Sequence, residues 1–270
     1  MVNSNLIFII FQLFFAAGAE DNCDRERKNY RYTDSNFRMS SIEYLTTENP
    51  ESLILYLPPT GGTTPLDTNT AKYFCENGLS TIILNSWTGY INKYSVENFS
   101  EHQAELDAAK KALLGLSNNV YKNKKIAIFG LSKGAIGVTA FKSELKSNIK
   151  SMFLVVPGSP LHLTISRAGA RVLKEIRDLR LEAFSIDQLT YDRMIFDSLL
   201  YKTQKPSKSI KLAMVISNND TTVPSVLQRN LVDRWKPNRL WTSEVGHRRT
   251  IIDTHLRLTD DAVKFFKSSF

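Results

Sequence analysis

From residue 40 onward the chain alternates short β-rich runs with longer stretches of helical periodicity, and that alternation admits few architectures. The runs are Ser41–Leu45, Leu53–Leu57 (LILYL), Thr81–Leu84 (TIIL), Lys125–Phe129 (KIAIF), Met152–Val156 (MFLVV), Leu212–Ser217 (LAMVIS) and Leu240–Val245. Several are continuously apolar and β-branched, as strands covered on both faces should be. Helical patterns separate them at Thr68–Glu76, Ser100–Leu116, Gly134–Leu145 and Val223–Trp235, and a last one opens at Thr259-Asp260-Asp261. Ser100 and Gln103 stand at capping-box spacing, and the acidic start of the last helix suits the positive end of its dipole. The expected fold is therefore α/β: a mainly parallel, doubly wound sheet covered by helices on both faces. Between Val156 and Leu212 the rhythm breaks, with two helix patterns at roughly 164–183 and 186–201 and no strand. A small helical cap at about 160–208, inserted between two strands, accounts for it. Residues 40–270 then form one domain, preceded by an N-terminal segment at 20–39.

Residues 1–19 read as a signal peptide. Leu6 to Phe15 (LIFIIFQLFF) is an apolar run too short to span a bilayer. Ala17 and Ala19 are the small residues expected before a cut at Glu20. No Lys or Arg precedes the run, a departure from the usual leader. The expected location is outside the cytoplasm, periplasmic or secreted. Export permits a Cys23–Cys75 disulfide without requiring one, and two cysteines cannot make a disulfide-dense scaffold or a four-cysteine zinc site. Neither a metal nor an organic cofactor is implied. The net charge of +8 permits anionic partners, but no nucleic-acid-binding signature accompanies it.

The chemistry concentrates at Gly130-Leu131-Ser132-Lys133-Gly134, directly after the strand KIAIF and directly before a helix. A serine at the apex of so sharp a turn takes an unfavourable backbone conformation, and side chains two positions either side would collide. Such a turn lifts the Ser132 hydroxyl to the positive end of a helix. A serine needs a base within hydrogen-bond reach, itself oriented by an acid. In a parallel sheet both partners belong beyond the carboxyl ends of later strands. Asp220, three residues past LAMVIS, and His247, in Val245-Gly246-His247, stand there.

With these residues in place, positions 40–270 resemble an α/β-hydrolase of the esterase and lipase kind. The resemblance implies that Ser132 is the nucleophile, His247 the general base and Asp220 the acid that orients it. It implies an oxyanion hole built from the N–H of Lys133 and a donor in the loop after LILYL. That loop reads Pro59-Thr60-Gly61-Gly62 where many family members carry His-Gly, leaving Thr60 and Gly61 as candidates. Ester cleavage through an acyl-serine is the expected reaction, on a small ester or lipid-like substrate with peripheral membrane contact as an open matter. A peptidase, amidase or acyltransferase on the same three residues, or a non-catalytic binding protein, are the rivals.

Other candidates are weaker. Trp87 and His162 stand where they can line a pocket. His255 follows Asp253 in an expected loop and is the second choice for the base; Asp253 is the second choice for the acid. His102 belongs to a helix surface, and Asp187, Asp192 and Asp197 to a cap helix. Arg167, Arg171, Lys174 and Arg177 recur at helical spacing and make a solvated face or a basic rim.

Overall fold

The computed structural model describes residues 23–31, 38–48, 51–59, 62–84, 123–135, 148–158, 161–184 and 206–270. Its strands are β1 (Cys23–Arg31), β2 (Arg38–Thr46), β3 (Ser52–Leu57), β4 (Ser80–Leu84), β5 (Lys125–Leu131), β6 (Ile149–Val155), β7 (Lys211–Ser217) and β8 (Arg239–Ser243). They form an eight-stranded sheet in the order β1-β2-β4-β3-β5-β6-β7-β8. The two pairings that involve β2 are antiparallel, and every pairing from β3 and β4 onward is parallel. Each run read as a strand lies in this sheet, with no end moved by more than three residues.

The sheet also reaches upstream of residue 40. β1 pairs with β2 along its whole length, from Cys23↔Thr46 to Arg31↔Arg38. Its sequence, CDRERKNYR, carries no apolar alternation. An edge strand can be this polar because only one side of it is paired and its charges resist further pairing. A disulfide joins Cys23 on β1 to Cys75, with the Cα atoms 5.9 Å apart.

The described helices are α1 (Pro65–Glu76), α2 (Leu161–Arg167), α3 (Arg171–Phe184), α4 (Ser225–Trp235), α5 (His247–Arg257) and α6 (Thr259–Lys267). α1 begins earlier than its apolar pattern suggests, because Thr64 and Asp67 form a capping box and Pro65 occupies the first turn. One sheet face carries Ile54, Tyr56, Phe129, Phe153 and Val215, packed with Phe74 of α1 and Phe265 and Phe266 of α6. Phe74 meets Phe129 and Phe266 edge-on at centroid distances of 5.4 and 5.7 Å, the favoured geometry for aromatic pairs. The alternate residues Leu53, Leu55, Ile128, Met152, Leu154 and Met214 are equally buried, so both faces of the sheet are covered.

The cap region corrects one reading. A single helix over 164–183 is instead α2 and α3, broken at Ala168-Gly169-Ala170. The cause lies outside the segment: the N–H groups of Gly169 and Ala170 both donate to the Thr221 carbonyl. Arg167 therefore ends one helix while Arg171, Lys174 and Arg177 belong to the next. Arg177 donates to the Ala168 carbonyl and Arg171 pairs with Glu175. The second cap pattern, 186–201, and the helix at Ser100–Leu116 with His102 lie outside the described residues.

Candidate active site

The carboxyl end of β5 carries a tight turn. Ser132 takes φ +50°, a left-handed conformation costly for any residue but glycine. Its N–H donates to the Val155 carbonyl at 2.9 Å, which fixes the turn against the next strand. The neighbouring glycines are sterically required. A Cβ on Gly134 would stand 2.2 Å from the Leu57 carbonyl oxygen, and one on Gly130 would stand 2.9 Å from the Ala135 Cα. Glycine at 134 thus lets the helix after the turn press against the end of β3. Val156, the residue after β6, also has positive φ (+44°). For a β-branched residue this is a clear outlier, and it lies one residue beyond the carbonyl that Ser132 uses.

Ser132, His247 and Asp220 come together at the carboxyl ends of β5, β8 and β7. Ser132 Oγ is 2.8 Å from His247 Nε2, and His247 Nδ1 is 2.6 Å from Asp220 Oδ2. Asp220 is 4% exposed, and burying a carboxyl group is costly unless hydrogen-bond donors surround it. Four are present. The N–H groups of Thr222 and Val223 each donate to Oδ1 at 2.8 Å, and Gln228 Nε2 donates to Oδ2 at 2.9 Å beside the imidazole. The loops bearing acid and base are also tied to each other, because Asn219 donates to the Glu244 carbonyl and Ser217 to the Val245 carbonyl.

Gln228 was not singled out in the sequence. It is fully buried on α4, where its amide donates to Asp220 and Val223 and accepts from the Ser217 N–H. The available signal was a glutamine on the apolar side of Val223–Trp235, next to Leu227 and Leu231.

Lys133 lies buried directly after Ser132, at the first residue of the following helix. Gly62 donates its N–H to the Pro59 carbonyl at 3.2 Å in the loop after β3. Thr60 and Gly61 lie outside the described residues, as do Trp87, Asp187, Asp192 and Asp197. His162 lies in α2 near the start of the cap region. Among the described residues, no group of three or more His, Cys, Asp or Glu side chains is placed to hold a metal ion.

His255 is a correction. It lies in the last turn of α5, not in a loop, and is 8% exposed. Its Nδ1 is 2.8 Å from Thr70 Oγ1 and its Nε2 is 3.4 Å from Asp67 Oδ1, so it faces α1. α5 was missed because HRRTIIDTHLR is rich in polar residues and shows only a narrow apolar stripe. Asp253, on the same helix, pairs with Arg249 at 2.9 Å.

Solved structures resemble this fold over most of the chain. An esterase from Pyrococcus furiosus aligns with a TM-score of 0.60 at 16% identity, covering 92% of this chain and 92% of its own. Est1E from Butyrivibrio proteoclasticus gives 0.58 at 13% identity over 90% of this chain and 98% of its own. A dienelactone hydrolase from Anabaena variabilis gives 0.56 at 12% identity over 92% and 99%. No protein-family model and no curated sequence matches the chain. With the strand order above, these likenesses define the fold: the chain has the α/β-hydrolase fold.

Proposed function

We propose that the protein is a serine hydrolase that cleaves a carboxylic ester through an acyl-Ser132 intermediate. The observation that carries this reading is the continuous hydrogen-bonded chain from Ser132 Oγ through both nitrogens of His247 to Asp220. In that chain His247 Nδ1–H donates to Asp220, which leaves Nε2 free to accept the serine proton. As Ser132 Oγ bonds to the ester carbonyl carbon, the proton moves to Nε2 and Asp220 stabilises the imidazolium. The developing oxyanion is met by the Lys133 N–H and by a donor from Thr60 or Gly61. Collapse breaks the bond to the leaving alcohol, which takes the proton from Nε2. Water, deprotonated by the same nitrogen, then releases the acid and restores Ser132.

Two of the three solved relatives described carry esterase or hydrolase in their names, which favours ester over amide. The substrate class is a small or lipid-like ester, with Trp87 and His162 as pocket-lining residues. Action outside the cytoplasm belongs to the same proposal, supported by the apolar leader and the Cys23–Cys75 disulfide.

A fluorophosphonate probe tests it. The purified protein takes up one probe per chain, while Ser132→Ala takes up none. His247→Ala reacts at least about 1,000-fold more slowly, as removal of a base from such a set does. Folded parent protein that resists labelling refutes the reading. Nitrophenyl esters of graded chain length, set against the matching anilides, then fix bond type and pocket depth.

A further inference from the structure

A second buried polar cluster lies at the other end of the helix that carries His247, and the reaction as written does not use it. Its centre is Asp67, 1% exposed, at the third residue of α1. Oδ2 accepts from the Thr64 N–H at 2.7 Å and from the Thr64 hydroxyl at 2.6 Å. Oδ1 accepts from the Tyr56 hydroxyl at 2.5 Å and lies 3.4 Å from His255 Nε2. Thr70 completes the group at 2.8 Å from His255 Nδ1. A capping box needs only the Thr64 contacts. The Tyr56 and His255 contacts exceed that need, and both lead to the active site.

Tyr56 and Thr64 bracket the loop after β3, so one carboxylate grips both ends of residues 57–63. Leu57, directly after Tyr56, has its carbonyl against Gly134. His255 ends the helix that His247 begins. Eight residues of α-helix span about 12 Å, so a tilt of about 5° about the far end moves the His247 backbone by about 1 Å. A misplacement of that size costs about 100-fold in rate.

We propose that Asp67 and His255 are positioning residues which lock the base-bearing helix to the end of β3 and the start of α1, so that His247 keeps one geometry against Ser132. This rests on the serine-hydrolase reading above. The clasp holds in either charge state of the imidazole. A neutral ring with its proton on Nε2 accepts from the Thr70 hydroxyl, and a charged ring donates to it. Asp67 is the ionisable group that faces the ring from α1, and the Tyr56 hydroxyl of β3 donates to that same carboxylate. On the α6 side the Thr259 hydroxyl caps the His255 carbonyl.

The test compares Asp67→Asn, His255→Phe, His255→Gln and Thr70→Val with the parent, using a nitrophenyl ester and the fluorophosphonate, at least 15 °C below each variant's Tm. His255→Phe and Asp67→Asn should lose about 30–100-fold in kcat and in labelling rate, with KM changed less than about threefold. His255→Gln keeps a donor toward Asp67 and should recover most of the loss, and Thr70→Val should lose a few-fold. A role limited to stability lowers Tm in all of them and leaves kcat alone. Parental kcat in folded His255→Phe overturns the proposal, as does a Gln variant no better than Phe. Should Asp67→Asn fail to fold, the His255 and Thr70 variants decide alone. Failure of the serine reading looks different, because the parent itself then takes up no probe.

Discussion

Replacing Gly134 by alanine tests the geometry of the turn with a single methyl group. The added Cβ would fall 2.2 Å from the Leu57 carbonyl oxygen, 2.7 Å from its carbon and 2.8 Å from its Cβ. Real Cβ atoms stay about 3 Å or more from such neighbours, so close to 1 Å of movement is required. Leu57 cannot supply it cheaply, since β3 is hydrogen-bonded to β4 on one side and to β5 on the other. Overpacking of a rigid core costs about 1–3 kcal/mol, and the backbone contact puts this case near the top, at about 3 kcal/mol. In a domain of this size that lowers Tm by about 6–12 °C. The same shift displaces the loop after β3, so labelling by fluorophosphonate should slow by about 100-fold. Gly246→Ala is the matched control. Its Cβ meets nothing nearer than the Asn219 carbonyl oxygen at 3.8 Å, and its φ of −71° suits alanine. Its Tm should move by less than about 4 °C. Differential scanning calorimetry reads both. A Gly134→Ala protein with Tm within 2 °C of the parent and a parental labelling rate would refute the steric account.

Three further outcomes follow from other contacts. Gln228→Leu strips a donor from Asp220 and leaves the Ser217 N–H and Val223 carbonyl short of a partner; stability should fall by about 2–3 kcal/mol and kcat by about tenfold with KM little changed, read by urea unfolding and ester kinetics. Reduction of the disulfide, which closes a sequence separation of 52, removes about 4 kcal/mol on a chain-entropy account; thermal unfolding with and without reductant should differ by about 8–16 °C, and the Cys75→Ala protein should show no reductant effect. Burial pushes the Asp67 carboxyl up, but His255, Thr64 and Tyr56 outweigh it and hold it below the usual carboxylate range. A depressed carboxylate contributes stability above its unfolded pKa of about 4 and loses it as pH falls through the lower folded value. The stability gap between parent and Asp67→Asn, measured by urea midpoints, should therefore narrow steadily below about pH 4.

Much of the fold was legible because it rests on local signals. The core strands are short apolar runs, and a strand buried on both faces has no other composition open to it. β1 and α5 were missed for the opposite reason: each is polar and takes its identity from a partner, β2 in one case and α1 with β7 in the other. The break between α2 and α3 was equally hidden, because the carbonyl that causes it belongs to Thr221, fifty residues on.

The sequence by itself determined the turn at Ser132 and the places of Asp220 and His247 after later strands. Spacing relative to a strand end is a property of the chain, and glycine two residues either side records a steric need. Only the tertiary structure decided which histidine meets the serine. His247 and His255 share one helix, eight residues apart, so they point to different neighbours: one to Ser132, the other to Asp67 in the first turn of α1. Gln228 and the Tyr56–Asp67–His255 cluster are likewise contacts between distant segments. No local pattern records them, because a buried polar side chain is defined by the partner that satisfies it.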